Sequence, residues 1–530
     1  MDARLITAFN WSSIDVFNNA STHYPSATAI VDHDKGVAFS YADLERRGRA
    51  LAGFLRDLGA TKGSIIAGIH FNCVEAVDIL NASWKLGAVY VPINWRLTPE
   101  EIAALLKDVN PQVLIFDSRL LSLAKDSLQK AKTSATTISI GCEGKESDYC
   151  YEDSLKASSK RAGESKASLE DPLMILYTGG TTGTPKGAII SVRQVLFNIF
   201  AEILTWKLHS SLKAPILLPL FHTGGWNLLT LPLLSVGGTI HFKERFDPGW
   251  FIEVVEANKG PFVVFAVPTI YYMISKHKDF AEARFDEIEW MLSGGAPASR
   301  GVLERFWEKN VKMAQGYGST EAGPNNLTMP IWELGLESLK EKWNSVGRPF
   351  AFNEVKIVKE DGSLAGPNEY GEIVICSPLS FSGYWKKPDE TGRTLRDGCV
   401  YTGDIGFYDS KGFYYIVDRK KDVIKSGGEQ VYPRELEEIA LAHPKVEDAA
   451  VIGVPDEKWG EVPKLIIRVR RGLKLGKNEI LEVYKGRVAK YKVPKYVAIV
   501  DEIPRNAAGK ILKRVLRERH GLPRDELGNY

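Results

Sequence analysis

Charge of one sign is missing from this 530-residue chain: 68 Lys and Arg face 66 Asp and Glu, leaving +2. So small a net charge gives the whole molecule no electrostatic case for nucleic acid or an anionic membrane as a partner. Cysteine is scarce too. Cys73, Cys142, Cys150, Cys376 and Cys399 are scattered, odd in number and form no C-x-x-C pair. That argues against a disulfide framework or a structural zinc site and suits a reducing, cytoplasmic setting. The first residues lack a basic stretch followed by an apolar core, so no signal peptide is expected. Residues 214–240 carry no Asp, Glu, Lys or Arg and are numerous enough to span a bilayer. Pro215, Pro219, Pro232, two Gly-Gly pairs and His222 interrupt them, so strand, loop and helix within a core are expected instead of a membrane segment.

What is present is an ordinary soluble composition, 44% hydrophobic and 25% charged. At roughly 150 residues per domain the length predicts three or four units. From residue 40 to about 126 helical and short β-rich patterns alternate, which favours a parallel sheet with helices on both faces. SYADLERRGRALAGFLRDLG reads as a helix, SIIAGI as a strand, CVEAVDILNASWKLG as a helix and AVYVP as a strand. A polar stretch over about 130–169 reads as a surface excursion or linker. The pattern then resumes with LMILY, APILLPL, TIHF, PFVVFAV and EWMLSG as strands. Residues 352–417 hold short β-rich runs broken by Gly and Pro, suggesting a small barrel-like or meandering sheet. After residue 418 come a glycine-containing loop, helix PRELEEIALA, strands AAVIGV and KLIIRVR, helix EILEVYKGRVAK, strand KYVAIV and a basic final helix.

The most informative stretch runs from Tyr177 through Thr178, Gly179, Gly180, Thr181, Thr182, Gly183, Thr184, Pro185 and Lys186 to Gly187, directly after an apolar run. Closely spaced glycines let backbone N–H groups converge on an anion, threonine hydroxyls add donors, and Lys186 supplies a compact positive charge. This is phosphate-binding chemistry. It is not the P-loop pattern, which needs Gly-Lys followed by Ser or Thr; here Pro185 precedes the lysine and Gly187 follows it.

The segment resembles the signature of the adenylate-forming superfamily, which includes acyl-CoA synthetases, firefly-type luciferases and the adenylation domains of peptide synthetases. Further landmarks follow in the family's order: PLFH (219–222), SGGAP (293–297), GYGSTE (316–321), YTGD (401–404), DRKKDVIKSGGEQVYP (418–433) and PRNAAGK (504–510). The resemblance implies an α/β fold in which a large N-terminal domain of residues 1–418 precedes a small mobile α+β domain of residues 419–530. Within the large domain, α/β subdomains run to about 345 and a β-rich subdomain covers about 346–418. It also implies ATP, Mg²⁺ and CoA as reactants. A carboxylate joins the α-phosphate of ATP, pyrophosphate leaves, and the acyl group passes to a nucleophile, so the site needs cations and oriented donors.

By the same resemblance the 177–187 loop holds the β- and γ-phosphates. Glu321 ligates Mg²⁺ with Thr181 assisting, hard oxygens suiting that ion. Tyr317, in the Gly316, Tyr317, Gly318, Ser319, Thr320 run, stacks on adenine, and Gly295, Ala296 and Pro297 form the facing wall. Asp404 accepts from the ribose hydroxyls and Arg419 makes a second nucleotide contact. Lys510, in its flexible turn, delivers its ammonium to the reacting carboxylate and α-phosphate. Lys421 is the hinge between two poses of the small domain, and Gly427 with Gly428 lines the tunnel for the pantetheine thiol. His222 precedes the carboxylate-binding region and shares the acyl pocket with Trp226, an aromatic gate. Gly179 departs from the Ser that many members carry, removing one hydroxyl.

The predicted activity is that of an AMP-forming acyl-CoA synthetase acting on a medium- to long-chain fatty acid. An aryl-acid ligase, or a relative passing its adenylate to an amine, a carrier protein or oxygen, is the alternative. Partners are the acid, ATP and CoA, with a homodimer left open and nucleic acid and integral membrane segments excluded. Charge is nonetheless unevenly spread. Residues 464–519 hold 17 Lys and Arg against 5 Asp and Glu, so +12 lies there and −10 elsewhere. A basic small domain facing a less basic body suits successive handling of ATP and the phosphates of CoA.

Overall fold

A computed structural model describes residues 14–142, 147–157, 167–178, 185–427, 429–505 and 511–527. Two largely parallel sheets form the body. The first has eight strands, running from Gly383–Tyr384 through Lys186–Ser191, Pro172–Thr178, Val89–Pro92, Ile65–Ile69, Val113–Asp117 and Thr136–Ile140 to Tyr149–Cys150. The second has nine, with Met313–Ser319, Ile288–Ser293 and Phe262–Ala266 parallel at its centre. Helices bury their apolar faces between them, and one core runs through Trp84, Trp206 and Trp226. The Tyr41–Asp57 helix starts in a capping box: Ser40 Oγ accepts from the Asp43 amide while the Asp43 carboxylate takes the Ser40 amide. The mixed α/β architecture expected from the alternating patterns is present.

A five-stranded antiparallel sheet follows, built on Glu354–Val358, Gly371–Cys376 and Cys399–Tyr408, with Tyr414–Arg419 paired to the last of these. The small C-terminal unit has its own five-stranded sheet and its own apolar core, including Ile424, Leu436, Tyr484 and Val497. Helices Pro433–Leu441 and Lys513–His520 pack on its Val446–Asp456 strand.

Three expectations change. The polar stretch after residue 130 is no bare linker: Thr136–Ile140, a run rich in β-branched residues, extends the first sheet beside Val113–Asp117. APILLPL supplies only the strand Lys213–Pro215, because Pro215 and Pro219 limit ladder pairing. The cysteines also pair, Cys142 with Cys150 and Cys376 with Cys399, leaving buried Cys73 free. Cys376 and Cys399 sit directly opposite on neighbouring antiparallel strands, a juxtaposition that a separation of 23 residues concealed. With two disulfides formed, the cysteines give no reason to expect a reducing compartment. Residues 214–240 fold into strand ends and short helices as expected, and no described helix is long and apolar enough to cross a membrane.

Candidate functional site

The site residues gather at the carboxyl ends of the central parallel strands of the second sheet, where open α/β sheets place their ligand crevices. After Ile288–Ser293 the chain turns through Gly294 and Gly295. A Cβ on Gly294 would lie 2.6 Å from the Phe265 ring, and Gly295 has φ +77°, so small residues are required where the wall of the crevice begins. Ala296 and Pro297 continue that loop at the surface. Gln315 braces it from the next strand, accepting from the Ala298 N–H at 2.8 Å and donating to the Trp343 carbonyl at 2.7 Å.

Gly316 to Ser319 end the Met313–Ser319 strand, which hairpins onto Gly323–Thr328. The approach is so close that a Cβ on Gly318 would sit 2.0 Å from the Pro324 carbonyl oxygen. Tyr317 is thereby fixed and half-buried, and its hydroxyl donates to Asp404 Oδ2 at 2.5 Å. Burial and the Asp404 carboxylate hold this phenol well above its usual pKa, keeping it a donor. Arg419, directly across the antiparallel ladder from Asp404, donates Nε to Oδ1 at 2.6 Å. Burial works against the Arg419 charge, but Asp404 and then Tyr317 and Glu321 outweigh it and raise its pKa. A carboxylate has about four lone-pair sites, so Asp404 retains acceptor capacity for a ribose beside these two donors.

Glu321, just past Thr320, accepts from the Tyr384 hydroxyl through Oε1 at 2.8 Å. Thr320 itself offers its carbonyl to Gln194 Nε2 at 3.3 Å, and Ser319 Oγ caps the Ala322 amide at 3.1 Å. Lys186 opens the strand antiparallel to Pro172–Thr178, with Thr178 as its register partner. Its ammonium forms an ion pair with Glu390 and lies 5.2 Å from the centre of the Tyr384 ring. Lys186 chiefly holds the Glu390 carboxyl below its usual pKa. Gly179, Gly180, Thr181, Thr182 and Gly183 lie outside the described residues, as do Gly428 and Lys510.

Does the site suit Mg²⁺? Glu321 offers a hard oxygen, and among the described residues Oε2 has no hydrogen-bond donor. No group of three His, Cys, Asp or Glu is assembled among them for a metal. One carboxylate, completed by phosphate oxygens and water, is the donor set Mg²⁺ favours over an all-protein cage. The residues fit.

On the acid side, His222 is half-buried ahead of the short helix Thr223–Asn227, edge-on to Phe221. Asn72 pins the preceding turn, donating to the Leu218 carbonyl and accepting from the Leu220 amide. Trp226 is wholly buried: its indole N–H bonds the Leu220 carbonyl and its ring meets Tyr90 edge-on at 6.1 Å. Next to this helix lies an apolar cavity of about 10 Å³ lined by Leu217, Leu218, Gly224, Leu228 and Phe265 among others. Phe265 also abuts Gly294, which joins this cavity to the crevice wall.

Lys421 is exposed in the turn after Arg419. Gly427, φ +61°, tips a hairpin at the Trp459 ring, and neighbouring Gln430 and Tyr432 face Glu360 and Tyr370 in the connection between the strands Glu354–Val358 and Gly371–Cys376. Tyr384, Glu390 and Gln315 escaped the sequence reading. A Gly-Tyr pair in SGYWKKP carries no chemical signature, and only the fold brings residue 384 to residue 321.

A family model described as AMP-binding enzyme matches residues 17–385, and one described as AMP-binding enzyme C-terminal domain matches 435–510. The chain belongs to the AMP-binding enzyme family. Over 94% of its length it is 35% identical to a feruloyl-CoA synthase of Amycolatopsis, covering 96% of that protein. It is 33% identical to a long-chain-fatty-acid–CoA ligase of Mycobacterium tuberculosis, over 94% of this chain and 97% of that one. Among solved structures, ATP-bound MatB from Rhodopseudomonas palustris superposes with a TM-score of 0.86 at 28% identity, covering 96% and 99% of the two chains. The apo form of that protein gives 0.77. The reading as an AMP-forming acid–thiol ligase with ATP, Mg²⁺ and CoA stands with the family.

Proposed function

We propose that this protein activates an apolar monocarboxylic acid with ATP and transfers it to CoA. The acid oxygen attacks the α-phosphorus, pyrophosphate departs, and the CoA thiol then attacks the acyl carbon as AMP leaves. Asp404, tied to Tyr317 and Arg419, is the observation that carries the nucleotide half. It is a buried carboxylate with acceptor capacity left over, flanked by a fixed aromatic ring and an exposed small-residue wall. Glu321 would hold Mg²⁺ against the phosphates, where the ion would neutralise charge on the departing pyrophosphate. Lys186 would meet the phosphates and Lys510 the reacting oxygens. The higher TM-score against the ATP-bound form of MatB supports a pose suited to the first half-reaction.

The apolar lining next to His222 supports an uncharged acid tail. A medium- to long-chain fatty acid remains the first substrate to test. An aryl acid is the second reading, favoured by the feruloyl-CoA synthase match. A cytoplasmic setting, supported by the ATP and CoA requirement, belongs to the proposal. Purified protein with ATP and a panel of fatty and hydroxycinnamic acids, with and without CoA, tests it. Pyrophosphate release without thioester would remove the CoA step. Lys510→Ala should lose adenylation and keep transfer from preformed acyl-adenylate; equal loss of both would overturn that division of labour.

A further inference from the structure

Tyr384 stands between two charged parts of the nucleotide site that the sequence keeps far apart. Its hydroxyl occupies Oε1 of Glu321, and the ammonium of Lys186 rests over its ring. The side chain has little freedom to do otherwise. It is buried, its amide donates to Thr391 Oγ1 at 2.8 Å, Phe381 packs edge-on at 4.9 Å, and its backbone pairs with Ala188 on the Lys186 strand. Glu390, in the helix that also supplies Thr391, closes on Lys186 as an ion pair.

We infer that Tyr384 is a positioning residue that sets the metal-binding carboxylate in register with the phosphate-binding lysine. The inference rests on the roles of Glu321 and Lys186 proposed above. By donating to Oε1 the phenol turns the other oxygen, Oε2, toward the cation, the arrangement by which outer hydrogen bonds orient a metal ligand. The negative face of the ring holds the ammonium without neutralising it.

The two contacts separate by substitution. Tyr384→Phe keeps the ring and removes the donor; Tyr384→Leu removes both. The readouts are calorimetric ATP affinity with EDTA or with Mg²⁺, and the Mg²⁺ concentration for half-maximal pyrophosphate release. For Tyr384→Phe the half-saturating Mg²⁺ should rise about 10-fold, the usual scale for loss of such a partner, while metal-free ATP affinity stays within about twofold. Tyr384→Leu should also weaken metal-free ATP binding about threefold. An unchanged Mg²⁺ requirement in Tyr384→Phe, or equal weakening with and without Mg²⁺, overturns the inference. Glu321→Gln tells the failures apart. If it raises the Mg²⁺ requirement and Tyr384→Phe does not, Tyr384 alone is misassigned. If Glu321→Gln leaves that requirement unchanged, the proposed metal role of Glu321 falls and takes this inference with it.

Discussion

Asp404 concentrates more of the site in one side chain than any other described residue. It is 6% exposed and serves Tyr317 and Arg419 at once. Asp404→Asn keeps the shape but removes the charge opposite Arg419, and hydrogen bonds to charged groups contribute about 1.5–3 kcal/mol each. The KM for ATP should rise roughly 30-fold, measured by pyrophosphate release at saturating acid. Gly318 is a purely steric case. Gly318→Ala drives a methyl into the Pro324 carbonyl and should cost about 3 kcal/mol, read from the shift in urea midpoint. Motif order made Tyr317, Glu321, Asp404 and Arg419 legible from sequence, because each lies in a short run of distinctive composition. Tyr384 was not legible, since its importance lies in contacts across 63 residues of chain.

Elements were readable where local rules agree with tertiary demand. The Tyr41–Asp57 helix has an N-cap, a capping box and an apolar face, and it forms as its pattern predicts. EILEVYKGRVAK carries a helical pattern too, yet only Lys477–Glu482 is helical, with Gly486 at φ +71° beyond it. Burial of charge was invisible to pattern reading. Arg47 of the Tyr41–Asp57 helix reaches Asp78 on Val74–Leu86 at 2.8 Å, and Tyr151 donates to the same carboxylate at 2.9 Å. Asp78→Ala would take the nearest carboxylate from a guanidinium that is 9% exposed and leave it Glu152 at 3.4 Å and Glu75 at 3.9 Å. A loss of about 2–3 kcal/mol is expected, measured by chemical denaturation, with the m-value unchanged if the native state stays compact.

For the molecule as a whole, acid should be destabilising beyond the effect of its carboxylates. His33 and His241 share a hydrogen bond of 3.0 Å, and His70 is buried against Tyr90. Burial lowers the pKa of all three; the proximity of His33 adds to the effect on His241, which drops to about 3. Folded pKa values below the unfolded one of about 6.5 mean that the unfolded chain binds the extra protons first. Stability is therefore complete above pH 6.5 and falls as pH drops toward 3. Melting temperatures from pH 7.5 to 4.5 should show this decline, and His241→Asn should make it shallower.

Asp418 lies just before Lys421, yet its carboxylate accepts from the Arg434 amide at 2.8 Å and stands 3.9 Å from Lys513. Arg434 also reaches back to the Ile416 carbonyl, and Lys420 grips Glu372. A swing about Lys421 would have to tear the first three of these contacts, because their two ends lie on opposite sides of the pivot. The small domain is thus latched by polar bonds, with the Tyr370–Tyr432 ring stack beside them. Dissolved salt screens buried pairs little, and Asp418 and Lys513 are only 6% and 12% exposed, so turnover limited by that rotation should barely respond to ionic strength while nucleotide affinity weakens.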